Sequence, residues 1–169
     1  MNKKIIAIDQ GTTSSRAVLF DHEGVLIDHE QREFKQFFPN DGWVEHDPEE
    51  IWDSVFFVTD SLIKRHNLES SDIASIGITN QRETTLVWNK KTGKAIYPAI
   101  VWQDRRTSEF CNDLRNSELE KMVQDKTGLL IDPYFSATKA KWIIDNVPKA
   151  KKLLKRKKIK EFLMNIKKF

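Results

Sequence analysis

Two short apolar runs, Ile5–Ile8 and Ala17–Phe20, open the chain and are separated by a polar turn. The turn begins at Gly11 and is rich in hydroxyl residues, a pattern that predicts two strands joined by a tight connection. A second turn over residues 21–24 leads into a third strand, which begins at Val25 and extends to about residue 33. The opening of the chain therefore predicts a three-strand antiparallel meander.

A helical pattern follows the meander. Asp47 suits the N-cap, Pro48 suits the first helical position, and Glu50 lies where the acid of a capping box belongs. Apolar residues then recur at spacings of three and four, at Ile51, Val55, Val58 and Leu62. The spacing predicts an amphipathic helix whose apolar face packs against the meander.

The rest of the chain predicts further strands and helices. Residues 73–79 predict a buried strand, and the segments 84–88 and 95–102 flank a polar turn and predict a hairpin. Three more helices are expected at about 107–115, from a capping-box pattern at 117–120 to Gly128, and at 136–146 before Pro148. The pattern by itself supports a mixed α/β fold.

The turn after the first strand carries residues suited to a phosphate group. Gly11 lets a ligand approach the backbone because it has no Cβ, and the turn N–H groups and hydroxyls offer donors to phosphate oxygens. The polar residues are Thr12, Thr13, Ser14 and Arg16, and Asp9 precedes them at a place suited to a hydrated Mg²⁺. The alternative is an ordinary hairpin with a polar tip. The GxxxxGK[ST] and GxGxxG patterns are absent from the sequence, so phosphate binding would depend on this turn.

Four residues further along the chain are candidates for binding a polyhydroxy compound. Arg82 donates hydrogen bonds and Glu83 accepts them, so the adjacent pair can grip a polyol at the carboxyl end of a strand. Trp102 offers an apolar wall for a carbon chain, and Tyr134 offers a phenolic hydroxyl. The alternatives are a surface ion pair for the first two residues and core packing for the two aromatic residues.

Composition is that of a soluble globular domain. Of the 169 residues, 39% are hydrophobic and 31% are charged, and no apolar run approaches membrane-spanning length. One cysteine cannot form an internal disulfide and fits the cytosol, and the four histidines show no metal-ligand spacing. We therefore expect a cytoplasmic protein without a transmembrane segment.

Positive charge is concentrated at the end of the chain. Residues 149–169 carry ten Lys or Arg and one Glu, a net charge of +9, so residues 1–148 carry −6 of the overall +3. Apolar residues in this tail, Leu153 to Phe169, can line one face of a basic helix. One interpretation is a segment that binds a membrane surface or nucleic acid. The interpretation we favour is the product of a truncated or frameshifted gene.

Five segments together resemble the sugar and polyol kinases of the glycerol kinase type, within the actin-like ATPase superfamily. They are IIAIDQGTTSSRAVLFD, GWVEHDPEEIW, IGITNQRETTLVW, IVWQDRRT and LIDPYFSATKAKWI. The resemblance runs from residue 3 to about residue 148. It implies an incomplete N-terminal domain of ribonuclease-H-like fold over residues 1–148, in which the meander is followed by a helix and a parallel strand.

The resemblance also implies an activity, the ATP-dependent phosphorylation of glycerol to glycerol 3-phosphate, with ATP and Mg²⁺ as cofactors. Arg82, Glu83 and Tyr134 fall on glycerol-contacting positions of the family and Trp102 on the pocket wall. The turn residues Thr12, Thr13, Ser14 and Arg16 fall on positions that contact nucleotide phosphates or the phosphorylated product. The family's catalytic base is an aspartate in a later segment, so no catalytic residue is assigned and we expect this chain to be inactive alone. Full-length relatives are expected to form homo-oligomers.

Three alternatives stay open. The chain could belong to a kinase for another polyol or a sugar, although the Arg82–Glu83 pair and Tyr134 favour glycerol. It could be a non-catalytic fragment whose basic tail binds membranes or nucleic acid, although we expect no specific nucleic-acid partner. It could also be a poorly folded remnant with an exposed sheet edge.

Overall fold

The computed structural model describes residues 3–155 and 159–163. The chain divides into two compact units. Unit 1 comprises residues 1–36 and 47–81, and unit 2 comprises residues 37–46 and 82–169. Each unit is built around a four-stranded sheet of its own.

The described residues form eight strands and five α-helices. The strands are β1 (Lys4–Gln10), β2 (Ser14–Phe20), β3 (Leu26–Glu33), β4 (Glu45–His46), β5 (Ile73–Asn80), β6 (Thr85–Asn89), β7 (Ala99–Ile100) and β8 (Ile159–Leu163). The helices are α1 (Pro48–Arg65), α2 (Ser108–Arg115), α3 (Leu119–Thr127), α4 (Ser136–Asn146) and α5 (Pro148–Lys155).

Unit 1 contains the predicted meander. Its strand order is β3-β2-β1-β5; β1, β2 and β3 are antiparallel neighbours, and β5 runs parallel to β1. Helix α1 covers one face, mainly over β2 and β3, and its buried apolar residues join those of β1 and β2 in one core. The buried core comprises Ile6, Ile8, Ala17, Leu19, Val58 and Leu62. The expected fold class, a meander followed by a helix and a parallel strand, is confirmed.

The start of α1 follows the prediction except at one residue. Asp47 is the N-cap and its carboxylate accepts from the Glu49 N–H at 2.9 Å, while Pro48 occupies the first helical position. The Glu50 carboxylate accepts from the Lys35 N–H at 3.0 Å. Glu50 therefore ties the helix to the segment after β3, and its predicted part in a capping box is wrong.

Strand β5 is more exposed than its apolar sequence predicts. Ile76 is 53% exposed and Ile78 is 55% exposed, although both lie beside buried β1 residues in the parallel register. Among the described strands β5 lies at one edge of the sheet, and α1 packs chiefly over β2 and β3. The predicted burial of this strand is therefore wrong, whereas its position and direction are correct.

Unit 2 has the strand order β4-β7-β6-β8. The predicted hairpin forms, with Thr85 opposite Ile100 and a bridge between Trp88 and Ala95. The three predicted helices are present as α2, α3 and α4, and α3 ends at Gly128 in the left-handed conformation, with φ of 71°. Its N-cap is Glu118, which makes no capping hydrogen bond, so the capping box predicted at 117–120 is wrong.

The basic tail is not one helix. Helix α5 ends at Lys155, and residues 159–163 form a strand that pairs with β6 in an antiparallel register. The prediction of one continuous basic helix is therefore wrong for these residues. Two positions assigned to its apolar face, Ile166 and Phe169, lie outside the described residues. Within the described part of the chain, the helices are all too short or too polar to cross a membrane.

His46 makes the stability of unit 2 depend on pH. Its side chain is fully buried on β4, and burial lowers its pKa from 6.5 to about 4. A lowered histidine pKa means that the unfolded chain takes up a proton at a higher pH than the folded chain. Stability should therefore fall as the pH drops from about 6.5 toward 4, and His46 should contribute about 2 kcal/mol of this loss between pH 7 and pH 5.

Urea unfolding at pH 7 and pH 5 measures this contribution. His46→Gln cannot titrate and should lose less stability than the wild type over this interval. His22→Gln removes an exposed histidine and should keep the wild-type pH dependence. Equal pH dependence in His46→Gln and the wild type would contradict the prediction.

Candidate functional site

The turn between β1 and β2 closes on itself at Gly11. The Gly11 N–H donates to the Ser14 carbonyl oxygen at 2.9 Å, and a Cβ added to Gly11 would lie 3.0 Å from that oxygen. The close approach explains why glycine occupies this position. The same bond corrects one expectation, because the Gly11 N–H is used inside the turn and is not directed at a ligand.

A glutamine on β3 orients two of the predicted phosphate-binding side chains. Gln31 pairs with Arg16 in the strand register, and its Oε1 accepts from Arg16 Nε at 3.1 Å and Nη2 at 2.8 Å. Its Nε2 donates to Ser14 Oγ at 3.0 Å. Gln31 is neutral and Arg16 forms no ion pair within the described residues, so no carboxylate there compensates the charge of the guanidinium. The sequence analysis missed Gln31, whose only signal is its place opposite Arg16.

The other turn residues are held by backbone contacts. Gln36 Nε2 donates to the Thr12 carbonyl oxygen at 3.1 Å, and the Phe34 N–H donates to the Thr13 carbonyl oxygen at 3.2 Å. The Thr13 side chain is exposed. These contacts fix the backbone of the turn from the segment that follows β3.

Asp9 lies near the end of β1, opposite Arg16 in the strand register. Its side chain is exposed and makes no hydrogen bond or ion pair within the part of the chain that the structure describes. That part also contains no group of three or more His, Cys, Asp or Glu residues able to hold a metal. A single exposed carboxylate fits Mg²⁺, which keeps several waters and binds through one or two carboxylates and phosphate oxygens.

Glu83 binds the start of helix α4. Its carboxylate accepts from the Ser136 N–H at 2.9 Å and from the Ser136 hydroxyl at 2.6 Å. Ser136 is the first residue of α4, whose N-cap residue makes no side-chain cap, so Glu83 caps this helix from a distant segment. The Glu83 backbone is in the left-handed region, with φ of 63°. The sequence analysis missed Ser136 as the partner of this carboxylate.

The two predicted aromatic residues meet near the start of α4. The Trp102 and Tyr134 rings pack edge to face with centroids 5.9 Å apart, and Tyr134 also packs against Phe135 at 5.2 Å. Both predicted residues are half-buried. Because Tyr134 lies two residues before Ser136, the structure brings Glu83, Trp102 and Tyr134 together, while Arg82 adjoins Glu83 with an exposed side chain.

Arg106 forms a buried ionic cluster in unit 2. Its Nη2 lies 2.7 Å from Glu45 Oε1 and 2.8 Å from Asp104 Oδ2, and its side chain is fully buried. The guanidinium stacks on Trp43, with its carbon 3.8 Å from the ring centroid. The structure shows that Arg105 is exposed and that Arg106 and Asp104 are paired inside the core.

This chain is similar in sequence to carbohydrate kinases. Residues 4–167 match the family described as "FGGY family of carbohydrate kinases, N-terminal domain". The glycerol kinase of Marinomonas sp. (strain MWYL1) is 60% identical over 151 residues, which are 89% of this chain and 31% of that protein. The glycerol kinase of Caldanaerobacter subterraneus is 55% identical over 156 residues, or 92% of this chain and 31% of that protein. The chain thus spans about a third of the length of these relatives.

Solved structures show the same fold. The crystal structure of Plasmodium falciparum glycerol kinase with ADP matches with a TM-score of 0.88 and 33% identity, covering 97% of this chain and 33% of that chain. Gluconate kinase from Lactobacillus acidophilus matches with a TM-score of 0.78 and 23% identity, covering 86% of this chain and 29% of that one. The family match extends past residue 148, where the sequence analysis placed the end of the resemblance.

Proposed function

Because the chain belongs to the FGGY family of carbohydrate kinases, we propose that it is part of a glycerol kinase and acts in the ATP-dependent phosphorylation of glycerol. The observation that carries this proposal is the identity of 55% to 60% with proteins named glycerol kinase, across about nine-tenths of the chain. The packing of Glu83, Trp102 and Tyr134 near the start of α4 supports it.

Glycerol would be held by residues of unit 2. Arg82 would donate to hydroxyl oxygens and Glu83 would accept from hydroxyl hydrogens, since neither side chain can do both. Trp102 would form an apolar wall beside the carbon chain, and the Tyr134 hydroxyl would make a further polar contact. Glu83 accepts two hydrogen bonds from Ser136, which hold its carboxylate in place at the start of α4.

Nucleotide phosphates would be held by the β1–β2 turn of unit 1. The residues proposed for this role are Gly11, Thr12, Thr13, Ser14 and Arg16. The ADP named with the Plasmodium structure supports an adenine nucleotide. Asp9 would hold a hydrated Mg²⁺, which supplies positive charge to the phosphoryl oxygens when bound. Arg16, whose side chain is oriented by neutral Gln31, would add to this stabilisation.

No residue of the chain is assigned as the base that accepts the proton of the reacting hydroxyl. Glu83 is a poor choice because its carboxylate is engaged with Ser136. Low turnover by residues 1–169 alone therefore stays a prediction. An ATP-coupled assay with glycerol checks it, and sustained turnover by the purified chain would contradict it.

The alternatives receive less support. The gluconate kinase and the xylulose kinases among the solved structures are 17% to 24% identical, which supports only the shared fold. A separate membrane- or nucleic-acid-binding tail is not favoured, because the family match continues to residue 167. A cytoplasmic location and homo-oligomeric full-length relatives remain proposals.

Binding measurements on the purified chain test the proposed function. Calorimetric titrations should show that glycerol binds more tightly than gluconate or xylulose, and that ADP binding strengthens with Mg²⁺. Asp9→Asn should remove the Mg²⁺ effect. Tighter binding of gluconate or xylulose than of glycerol would contradict the assignment.

A glycine substitution tests the turn specifically. Gly11→Ala would bring a Cβ to 3.0 Å from a backbone oxygen, and the resulting strain of about 1–3 kcal/mol should displace the turn and weaken ADP binding roughly ten-fold. Gly77→Ala is the matched control, because no atom lies within 4 Å of its added Cβ. Unchanged ADP affinity in Gly11→Ala would exclude this turn as the phosphate site.

A further inference from the structure

A lysine without solvent exposure lies beneath the segment that carries Tyr134. Lys139 is on α4 and its side chain is fully buried, which is rare for lysine. Its Nζ donates to the carbonyl oxygens of Pro133 at 2.9 Å and Phe135 at 3.1 Å, and also to that of Tyr134. The three donors of one ammonium group thus meet three consecutive backbone carbonyls.

The surroundings of Lys139 keep its side chain in the charged, ammonium form. Burial lowers its pKa to about 8, and the carboxylates of Glu83, Asp104 and Asp132 oppose that shift. The ammonium form therefore predominates at neutral pH. Only that form donates to all three carbonyls, since a neutral amine has two N–H bonds and a lone pair.

We propose that Lys139 is a positioning residue that fixes the Pro133–Phe135 segment and thereby sets the Tyr134 ring and the Ser136 contact to Glu83. The proposal rests on the proposed function, because Tyr134 and Glu83 are its glycerol contacts. The Lys139 ammonium group binds the carbonyl before the Tyr134 Cα and the carbonyl after it. The two peptide planes that set the direction of the Tyr134 side chain therefore cannot rotate freely. The segment also delivers the Ser136 N–H and hydroxyl to Glu83.

The experiment uses the two tyrosines of the chain, Tyr97 and Tyr134, as separate NMR probes. Tyrosine labelled with ¹³C in the ring gives one set of signals for each, and Tyr97→Phe assigns them. Tyr134 reports on the segment because it packs against Trp102 and Phe135. Tyr97 is an internal control, because it packs on Trp142 and its hydroxyl donates to Glu45.

Lys139→Met keeps a long apolar side chain and removes every donor. The Tyr134 signals should move toward the values of an exposed tyrosine, while those of Tyr97 stay in place. Glycerol, titrated against the Tyr134 signals, should bind more weakly by roughly ten-fold, the loss expected when one hydrogen-bonding contact is displaced. Lys141→Met is the matched control: Lys141 lies on the same helix, it is exposed, and among the described residues it pairs with Asp145 and the Phe110 ring. It should match the wild type in both measurements.

Unmoved Tyr134 signals in folded Lys139→Met would overturn the proposal. If Lys139→Met fails to fold by far-UV circular dichroism, Lys139→Gln decides in its place, because the two N–H donors of its shorter side chain leave at least one of the three carbonyls unbound. A wild-type Tyr134 signal and wild-type glycerol response in that variant would likewise overturn it. A ¹⁵N spectrum of the wild type adds a measurement without any substitution, since one lysine ammonium should exchange slowly with water, and the absence of such a signal would refute the contact.

The outcome separates this proposal from the proposed function. If glycerol leaves the wild-type Tyr134 signals unchanged, the glycerol site fails. The comparison of the free wild type with Lys139→Met then still decides whether Lys139 holds the segment.

Discussion

Arg106→Met is expected to lower the free energy of unfolding by about 3–5 kcal/mol, the range found when one partner of a buried ion pair is removed. The substitution keeps a long apolar side chain but leaves the carboxylates of Glu45 and Asp104 buried without their cation. Asp104 is fully buried and Glu45 is 8% exposed, so water cannot replace the lost partner.

The geometry of the cluster explains the size of this effect. Arg106 binds Asp104 through two nitrogens, with Nε 2.9 Å from Oδ1 and Nη2 2.8 Å from Oδ2. Burial by itself would lower the pKa of Arg106. The hydrogen bonds to Asp104 and Glu45 have the larger effect, so the pKa lies above its usual value. The guanidinium also lies 4.6 Å from the Trp142 ring centroid, so its removal loosens aromatic packing as well as the ion pairs.

Arg105→Met is the matched control because it removes the same kind of side chain one residue earlier. Arg105 is 58% exposed and its nearest carboxylate, Asp132, is 3.6 Å away. An exposed pair contributes about 0–1 kcal/mol, so this variant should unfold close to the wild type. Urea unfolding measures both, and a loss below about 1 kcal/mol for Arg106→Met would show that the cluster does not stabilise unit 2.

The meander could be predicted because local rules decide it. The turn at Gly11 and the alternation of buried and exposed residues along β2 depend on neighbouring residues alone, and both are present in the structure. The burial of β5 could not be predicted in this way. Ile76 and Ile78 are apolar, but their burial depends on which elements pack over the strand. Because α1 lies mainly over β2 and β3, both side chains remain exposed. The strand at 159–163 was missed because the surrounding tail is rich in lysine, and because its apolar residues Ile159, Phe162 and Leu163 have the spacing of a helix.

In the candidate site, too, the residue types could be predicted from the sequence, but their contact partners could not. Residue types and their order indicated Glu83, Trp102 and Tyr134, whereas their partners come from distant parts of the chain. Ser136 lies 53 residues after Glu83, and only the folded chain shows that the two are hydrogen-bonded. Lys139 was overlooked because a lysine in a helical pattern is normally exposed, and no local signal reveals three carbonyls converging on its side chain.

Glu83→Ala is expected to weaken glycerol binding by roughly 10- to 150-fold, which corresponds to about 1.5–3 kcal/mol for a hydrogen bond to a charged group. It should also lower the free energy of unfolding by about 0.5–2 kcal/mol, because the start of α4 loses its cap. Alanine removes both effects together, so this variant alone cannot separate the cap from the substrate contact.

Glu83→Gln separates the two roles. Its amide oxygen can still accept from the Ser136 N–H, so most of the stability should return, while its neutral oxygen is a weaker acceptor for a glycerol hydroxyl. Glu118→Gln is the control, because Glu118 is the exposed N-cap of α3 and makes no capping hydrogen bond. Calorimetric titration with glycerol and urea unfolding measure the two effects. If Glu83→Gln were as stable as the wild type and bound glycerol equally well, the carboxylate would serve only to cap α4, and the proposed glycerol site would lose its acceptor.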